Sequence, residues 1–415
     1  MADPRRGGDG AAAPVRVVRA GDTTLASLPP LSLYVHLPWC LRKCPYCDFN
    51  SHELPTTPGP AALDPGLERD YVDALVTDLE ASLPQVWGRR VVSVFLGGGT
   101  PSLFGPAAID RLLAAVRARL PLEPGGEVTL EANPGTFERE RFRAYRDAGV
   151  TRLSLGVQSF DDALLARIGR VHDARQALAA AEEAARCFDT FNLDLMYALP
   201  GQDGAMLEHD LRQALAFAPP HLSVYHLTIE PNTRFATRPP AGLPDDDTAA
   251  AMLDAIVEHT AGAGLERYEV SAFARPGHRC VHNLNYWRFG DYLGIGAGAH
   301  GKLSFPDRIV RQVRWRDPAT YLQRVREGRA VSNEHRVGVD ELPFEFVLNA
   351  LRLREGFAPS LFAERTGLSP SVLDDAVSRA LARGLVERGA DARVRPTPRG
   401  FDFLSDLQAL FLPAR

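Results

Sequence analysis

From Leu31 to about Gly301 the chain alternates short apolar, β-branched runs with amphipathic helical patterns, and this alternation limits the folds open to it. Near-continuous apolar strands separated by helices are typical of a parallel sheet whose faces are covered by helices. Repeated βα units of this kind predict an α/β fold with a partial or full TIM-like (β/α) barrel. The candidate strands are residues 31–37, 91–97, 127–133, 152–158, 191–199 and 221–229. Helices are predicted between them at 67–83, 107–120, 138–148, 174–187 and 207–216.

The regions outside this alternation divide the chain further. Residues 1–28 are rich in Gly, Ala, Pro and Arg without a clear period, and predict a disordered leader. The barrel and its linking segment are assigned to 29–305, with a proline-rich surface loop at 54–65. A connecting segment follows at 306–340. From 341 to 415 a helix–helix–turn–helix pattern, a short strand and a last helix predict a mostly α, winged-helix-like domain.

The charge balance and hydropathy exclude several classes of function. The chain carries 52 acidic against 47 basic residues, a net charge of −5, and the predicted recognition helix holds Asp374 and Asp375, so nucleic-acid binding is not favoured. It contains no apolar run of about 18 residues, which predicts no membrane span. No apolar segment follows the N-terminal arginines, so the cytoplasm is the expected location.

Three of the five cysteines stand within eight residues, in the spacing C-x3-C-x2-C at Cys40, Cys44 and Cys47. In the cytoplasm such a cluster indicates metal or redox chemistry rather than disulfides. Three thiolates from one loop can hold three corners of a [4Fe–4S] cluster and leave one iron open. Cys187 lies in an alanine-rich helical pattern and is predicted to be a buried side chain, while the role of Cys280 is left open.

An alternative interpretation of the same cysteines is a zinc site. Tetrahedral zinc needs a fourth protein ligand, and His36 or His52 is near enough in sequence to supply one. The motifs that follow the cysteines favour the cluster over zinc.

Small or polar residues end the predicted strands. The segment GGGTP at 97–101 follows the second strand, and Glu131, Gln158 and Asp194 occur near the ends of later ones. Glycines permit a close approach of the backbone to a ligand. Because barrel enzymes place their chemistry at the carboxyl ends of strands, these residues predict a site, with a hydrogen-bond network at the barrel rim as the alternative.

The cysteine motif, with Tyr46 before its last cysteine, resembles the radical S-adenosylmethionine signature. In that superfamily the open iron binds the amino and carboxylate groups of S-adenosylmethionine, and electron transfer to the sulfonium yields a 5′-deoxyadenosyl radical. The motifs YVHLPWC, GGGTPS, E-x-NP, GVQSF, the segment 166–173 and LDLMYALPGQ, in this order, resemble the HemN/HemW group. This resemblance extends from about Leu31 to Phe411 and implies a [4Fe–4S] cluster and S-adenosylmethionine as cofactors.

The resemblance also implies which residues bind S-adenosylmethionine. Two tyrosines are expected beside the adenosyl group, a glycine–threonine segment near the methionine end, and four polar residues at the ribose, amino and carboxylate groups. These residues are, in that order, Tyr34 and Tyr46; Gly98, Gly99 and Thr100; and Glu131, Gln158, Arg170 and Asp194. For Arg170 the alternative is a position on the protein surface.

Two branches of the group differ at the position two residues after the third cysteine. Oxygen-independent coproporphyrinogen III oxidases have a further cysteine there, whereas this chain has Phe49. The chain therefore resembles the HemW branch, whose members bind haem and are regarded as haem chaperones.

A second marker of that branch is the segment HNLNYW, which begins at His282. The resemblance implies that His282, Asn283, Tyr286 and Trp287 bind haem. Imidazole is a common haem ligand and aromatic rings can stack on a macrocycle. In the alternative interpretation His282 and Asn283 cap a turn while Tyr286 and Trp287 pack under the site. His226 and His300 are further candidate ligands.

The function implied is a haem chaperone with a radical SAM core, which delivers haem to apoproteins. One alternative is an oxidase that converts coproporphyrinogen III to protoporphyrinogen IX in porphyrin biosynthesis. Another is an iron–sulfur scaffold with a nucleic-acid-binding winged-helix module. Whether the chain is an enzyme is left open, as is the oligomeric state, a homodimer included.

Overall fold

The predicted strands pair into one large mixed sheet. The computed structural model describes residues 23–54, 63–136 and 139–413. Within them twelve strands are hydrogen-bonded in the order β14-β13-β12-β11-β1-β4-β5-β6-β7-β8-β10-β9. The seven strands from β11 to β8 in this order are parallel, and the strands beyond them are antiparallel edges.

The strands of this sheet are short, as the apolar runs of the sequence predict. They are β1 Leu31–Leu37, β4 Val91–Gly98, β5 Leu122–Ala132, β6 Arg152–Gln158, β7 Thr190–Tyr197, β8 His221–His226, β9 Glu266–Arg267, β10 Ala272–Ala274, β11 Asp291–Ile295, β12 His300–Phe305, β13 Arg308–Arg314 and β14 Val331–Arg336. Two small two-stranded sheets are formed by β2 Trp39–Cys40 with β3 His52–Glu53 and by β15 Val386–Arg388 with β16 Val394–Pro396.

Helices connect most of the strands. They are α1 Pro65–Ser82, α2 Pro106–Arg119, α3 Arg139–Asp147, α4 Asp162–Arg167, α5 Ala174–Cys187, α6 Gly204–Ala216, α7 Arg234–Thr237, α8 Asp246–Gly262, α9 Val281–Trp287, α10 Pro318–Arg326, α11 Leu342–Ala350, α12 Pro359–Thr366, α13 Asp374–Ala382, α14 Pro398–Asp402 and α15 Leu404–Ala409. None of these described helices is long and apolar enough to cross a membrane.

The predicted α/β class is confirmed, and all six predicted strands are present. Strands β1 and β6 have the predicted bounds, whereas β5 begins earlier, at Leu122, and β8 ends earlier, at His226. The edge strands β14 and β9 do not pair with each other in the described sheet, so a full barrel is not formed. The arrangement is an open, partial one.

The helices cover the sheet because their apolar faces match its buried side chains. Leu33 of β1 and Leu153 of β6 are fully buried in the main core, as is Leu75 of α1. Helix α5 begins with a capping box in which Asp173 accepts from the backbone of Gln176, which fixes its start at the residue that the sequence predicts. Because all parallel strands run the same way, their carboxyl ends meet at one edge of the sheet.

Two segments differ from their predicted assignments. Residues 306–340, assigned to a connecting segment, instead supply β13, α10 and β14, and so extend the main sheet. Residues 23–28, assigned to the leader, include the buried Thr23 and Leu25, while 1–22 lie outside the described residues. Leu25 packs in the core of the C-terminal unit. The loop predicted at 54–65 falls largely outside the described residues, and its last residue begins α1.

The C-terminal unit, residues 342–411, has a core of its own. Helices α11, α12 and α13 precede the β15–β16 hairpin, which α14 and α15 follow. This order matches the helix–helix–turn–helix, strand and final helix that the sequence predicts. Phe346 lies at its centre, with ring centroids 5.0 Å from Phe357 and 5.2 Å from Phe362.

Candidate functional site

A single cavity of about 640 Å³ collects the residues that the sequence singles out. It opens at the carboxyl ends of the parallel strands, where barrel enzymes place their chemistry. Its wall includes every predicted cluster, S-adenosylmethionine and haem residue: Cys40, Cys44, Cys47, Tyr34, Tyr46, Gly98, Gly99, Thr100, Glu131, Gln158, Arg170, Asp194, His282, Asn283, Tyr286 and Trp287.

The three clustered cysteines form one part of this wall. All three thiols are free and half-buried, on the loop that follows β1. The Thr100 hydroxyl donates to the sulfur of Cys40 at 3.4 Å, and an Arg170 N–H donates to the sulfur of Cys44 at 3.5 Å. Donors aimed at sulfur stabilise thiolates, the form in which cysteine binds iron. The donor set therefore suits an iron–sulfur cluster.

Arg170 is not the surface residue of the alternative interpretation. Its Nη2 donates to Asn133 Oδ1 at 2.6 Å and to the carbonyl oxygen of Gly156 at 2.7 Å. Its buried Nε has no hydrogen-bond partner among the described residues. A guanidinium fixed in this way, with one donor unsatisfied, suits contact with a bound anionic group.

The glycines after β4 are required by contacts within the protein. Gly98 has φ +114°, and a Cβ there would lie 2.5 Å from the His36 ring. A Cβ on Gly99 would lie 2.6 Å from the carbonyl oxygen of Trp39. Backbone N–H groups of Gly99 and Thr100 donate to the carbonyls of Leu37 and Trp39 at 2.8 Å. These glycines thus hold the start of the cysteine loop against the end of β4.

Two carboxyl groups face the cavity from β5 and β7. Glu131 accepts from the Gly98 backbone at 3.1 Å, and Asp194 accepts from Asn192 at 2.7 Å and Ser154 at 3.2 Å. Burial, and next the charge of Asp194, raise the pKa of Glu131 to about 7. Burial also raises the pKa of Asp194. A cationic ligand would favour the ionised form of both, so the pair suits a positively charged guest.

Helix α9, which carries the HNLNYW segment, contributes four residues to the cavity wall. The Glu127 carboxylate of β5 accepts from the backbone N–H groups of Val281 at 3.0 Å and His282 at 3.1 Å. His282 Nδ1 lies 3.1 Å from the Ser93 hydroxyl, and its ring centroid lies 4.8 Å from that of Phe95. The residue is only 3% exposed, and burial lowers its pKa to about 3, so its imidazole is neutral.

The two aromatic residues of that segment contact other parts of the chain as well as the cavity. The Tyr286 ring stacks on Tyr292 with centroids 3.9 Å apart. The Arg352 guanidinium of the C-terminal unit lies 4.3 Å from the centroid of the Trp287 ring. Both rings therefore pack as the alternative interpretation predicts, while they still line the cavity.

The other candidate histidines are placed differently. His36 has both ring nitrogens in hydrogen-bond contact, with the Tyr34 hydroxyl and the Asn50 carbonyl, each at 2.9 Å. It cannot serve as the fourth zinc ligand without losing one of these contacts. His52 and His300 are not part of the cavity wall among the described residues, whereas His226 is exposed at it.

Sequence reasoning missed several polar residues of the wall. Arg152 is 3% exposed and its Nε has no hydrogen-bond partner among the described residues. Asn192 donates to Ser154 at 2.8 Å and accepts from Ser223 at 3.0 Å. These side chains occur at alternate positions of β6, β7 and β8, so they lie on one face of each strand. That alternation of polar residues is the sequence signal that could have identified them.

Comparison with protein families gives two matches. Residues 34–214 match the Radical SAM superfamily, and residues 339–403 match the HemN C-terminal domain. The first match spans the cysteine loop and the strands from β1 to β7, and the second spans most of the C-terminal unit.

Comparison with individual proteins agrees with these matches. The chain is 47% identical over 390 residues to "Heme chaperone HemW" of Escherichia coli strain K12, covering 94% of this chain and 100% of that protein. It is 38% identical over 384 residues to the protein of the same name from Mycobacterium tuberculosis H37Rv, covering 91% and 94%. The crystal structure of coproporphyrinogen III oxidase HemN from Escherichia coli superposes with a TM-score of 0.76 at 23% identity, covering 92% and 90% of the two chains, and so shares the fold. At these identities and coverages, the chain belongs to the HemW family of radical SAM proteins.

Proposed function

We propose that this chain is a haem chaperone that binds a [4Fe–4S] cluster, S-adenosylmethionine and haem and delivers haem to acceptor proteins. The proposal is supported by the function after which its relatives in the family are named. The single observation that carries it in this molecule is that the three clustered thiols and the HNLNYW helix face one cavity.

The residues around the clustered cysteines fit the cofactors. Cys40, Cys44 and Cys47 would hold the cluster, and neither of the other cysteines lines the cavity among the described residues. When bound, the cluster and S-adenosylmethionine would supply an electron source and a cleavable sulfonium. The protein's own contribution is to orient them, and Arg170 and the glycine segment hold the cysteine loop in place.

The predicted S-adenosylmethionine residues line the same cavity as the three thiols. We assign the sulfonium and ammonium charges of the ligand to the side of Glu131 and Asp194, since both carboxyl groups line the cavity, are partly buried and have raised pKa values. Arg170 is assigned to the carboxylate because its Nε has no other described partner. Tyr34, Tyr46, Gly98, Gly99, Thr100 and Gln158 complete the proposed binding residues.

The proposed haem residues lie on α9. A histidine must be neutral to bind haem iron, and burial keeps His282 neutral. A contact of Nδ1 with Ser93 fixes the ring and directs the other nitrogen away from it, as partners of metal-ligating histidines do. Asn283, Tyr286 and Trp287 would contact the macrocycle beside it.

The test is a haem titration of the anaerobically reconstituted protein. The Soret band should shift on binding, and His282→Ala should weaken haem affinity by at least about tenfold. His209→Ala, which removes an exposed histidine of α6 outside the cavity, is the matched control and should bind as wild type. Absence of a Soret shift in the wild type would remove the chaperone proposal, and equal affinities of the two variants would remove His282 as ligand.

One observation keeps the oxidase as a second candidate, namely the fold shared with HemN. Against it, Phe49 is 63% exposed at the cavity, where the oxidase pattern has a cysteine. Incubation with coproporphyrinogen III, reductant and S-adenosylmethionine should therefore yield no protoporphyrinogen IX. Turnover that is lost in Cys44→Ala together with the cluster absorbance would favour the oxidase instead.

A further inference from the structure

Arg152 is a buried cation in the cavity wall to which the proposed function gives no role. It begins β6, is 3% exposed, and lines the same cavity as the three clustered thiols. Within the described residues its guanidinium makes neither a hydrogen bond nor an ion pair, and its Nε is buried. Burial of an unpaired charge costs stability, so unused donors on a buried guanidinium indicate a partner that is not part of the protein chain.

The carboxylates whose charges act on Arg152 are bonded to other groups. Burial alone would lower the pKa of Arg152, but its neighbours, first Cys280 and then Glu127, raise it, so the guanidinium stays charged. Both Glu127 oxygens accept from backbone N–H groups at the start of α9. Asp194, whose charge also acts on Arg152, accepts from side chains of β6 and β7. These carboxylates balance the charge of the guanidinium from a distance and leave its donors free for a ligand.

Arg152 and Arg170 occupy different parts of the cavity wall. Arg170 donates to the carbonyl oxygen of Gly156 and to the sulfur of Cys44, so it lies beside the cysteine loop. Arg152 is four residues before Gly156 on the same strand, which separates the two backbones by about 13 Å. Burial first, and the charge of Arg152 second, lower the pKa of His282 to about 3, so Arg152 lies on the side of the proposed haem ligand.

The chemistry of a guanidinium selects the group that it binds. Its planar fork of N–H donors matches a carboxylate, which it holds through two parallel hydrogen bonds. Haem carries two propionate carboxylates, whereas S-adenosylmethionine carries one, which is already assigned to Arg170. The propionates therefore fit the unused donors of Arg152.

We propose that Arg152 binds a propionate carboxylate of haem while His282 holds the iron. This inference rests on the proposed function and adds to it the residue that recognises the acidic side chains of the ligand. A haem whose propionates are esterified loses this contact, because an ester carries no charge.

The test compares haem with its dimethyl ester in Soret titrations of the anaerobically reconstituted protein. The wild type should bind haem at least about tenfold more tightly than the ester. Arg152→Gln should bring the two Kd values within about twofold of each other. A general defect in folding would weaken both ligands together and leave the ratio of their Kd values unchanged, so this ratio reports the carboxylate contact.

Two further variants serve as controls. Arg42→Gln is the matched one, because Arg42 also lines the cavity but is exposed, and it should keep the wild-type ratio. Arg152→Lys retains the charge without the planar fork and should show an intermediate ratio. A preference for haem that is lost in Arg42→Gln and kept in Arg152→Gln would place the propionate at Arg42 and overturn the assignment. Should Arg152→Gln not fold, a wild-type ratio in Arg152→Lys would contradict the two-pronged contact.

A second arm separates the two sources of a carboxylate. In equilibrium dialysis, Arg152→Gln should keep the wild-type preference for S-adenosylmethionine over its decarboxylated analogue, since Arg170 is assigned to that group. Loss of this preference would assign Arg152 to S-adenosylmethionine and overturn the haem contact. A wild type that binds haem and its ester equally would overturn the role of Arg152 alone. Absence of a Soret shift with either ligand would remove the chaperone function and the role of Arg152 with it.

Discussion

Burial determines the charge of the side chains that face the cavity. His282 on α9 is buried and Glu131 on β5 is partly buried, and in both burial is the largest cause of the pKa shift. It lowers the pKa of the histidine and raises that of the carboxyl group, because the neutral form is favoured in each. The cavity wall therefore has a neutral imidazole on α9 and a carboxyl group on β5 that ionises near pH 7.

This difference predicts the pH dependence of haem binding. With a pKa of about 3, His282 stays unprotonated down to about pH 4, so the haem affinity of the wild type should stay within about twofold between pH 5.5 and 8. A histidine with the ordinary pKa of about 6.5 would lose about tenfold in affinity at pH 5.5, because protons compete with iron. Soret titrations at several pH values measure this profile. A tenfold loss at pH 5.5 would indicate that the ligand is a histidine with the ordinary pKa rather than the buried His282.

Burial of the neutral His282 ring also makes the stability of the folded chain depend on pH. The unfolded chain protonates a histidine near pH 6.5, whereas folded His282 does not. Its contribution is therefore fully present above about pH 6.5 and is lost progressively as the pH falls towards 3. Binding measurements at pH 5.5 accordingly need a parallel check that the protein remains folded.

Among the elements, α9 is capped at its start by a side chain from the sheet. It has seven residues, too few for stability on its own, and its N-cap residue Cys280 supplies no side-chain cap bond. The Glu127 carboxylate of β5 caps the helix instead, and accepts from the backbone N–H groups of Val281 at 3.0 Å and His282 at 3.1 Å. A negative charge at a helix N-terminus also interacts favourably with the helix dipole.

Glu127→Gln should therefore destabilise the protein by about 1–2 kcal/mol, since a neutral amide oxygen is a weaker cap. The same change should weaken haem binding, because His282 is one of the two capped residues. Denaturant unfolding and Soret titration measure the two effects. Glu182→Gln, which removes an exposed i,i+4 partner of Arg186, is the control and should cost less than about 0.5 kcal/mol. Equal effects of the two substitutions would contradict the capping role.

The elements that could be predicted from sequence are those with a local signal. The strand at 152–158 and the helix at 174–187 have the predicted bounds because an apolar run and a capping box at Asp173 define them. The strands β11 to β14 lack such a signal. Their polar residues, such as Lys302 on β12, are buried against partners on neighbouring strands, here Asp291 of β11 at 2.9 Å.

The candidate site likewise has a part that the sequence predicts and a part that it does not. The cysteine spacing and the position of Glu131 at the end of β5 predict residues that share the cavity. Asp194, which the sequence predicts near a strand end, lies in the middle of β7 but lines the same cavity. Burial of His282 under Phe95 could not be predicted, because it depends on α9 entering the space beside the sheet. Arg152 was missed for a related reason, since an arginine at the start of a strand is usually exposed.

At the scale of the whole molecule, the two units are joined by contacts that are distant in sequence. The backbone of Leu353 forms a β-bridge with that of Glu269, which lies between β9 and β10. Arg311 of β13 forms an ion pair with Glu345 of α11. Leu25, from the start of the described chain, inserts into the core of the C-terminal unit, and its N–H donates to the carbonyl of Pro306 at 3.1 Å. The chain before β1 therefore contributes to the stability of the unit at the opposite end of the sequence.

Leu25→Ala should destabilise the C-terminal unit by about 2–4 kcal/mol, because it leaves a cavity in a closed core. The backbone contact with Pro306 does not involve the side chain, so the loss reflects packing alone. Native-state hydrogen exchange should show reduced protection in residues 342–411, with the central strands β5 to β7 less affected. Leu28→Ala is the matched control, since that side chain is 39% exposed and its truncation should cost less than about 0.5 kcal/mol. If both substitutions left exchange in residues 342–411 unchanged, the N-terminal segment would contribute nothing to that core, and the C-terminal unit would be stable without it.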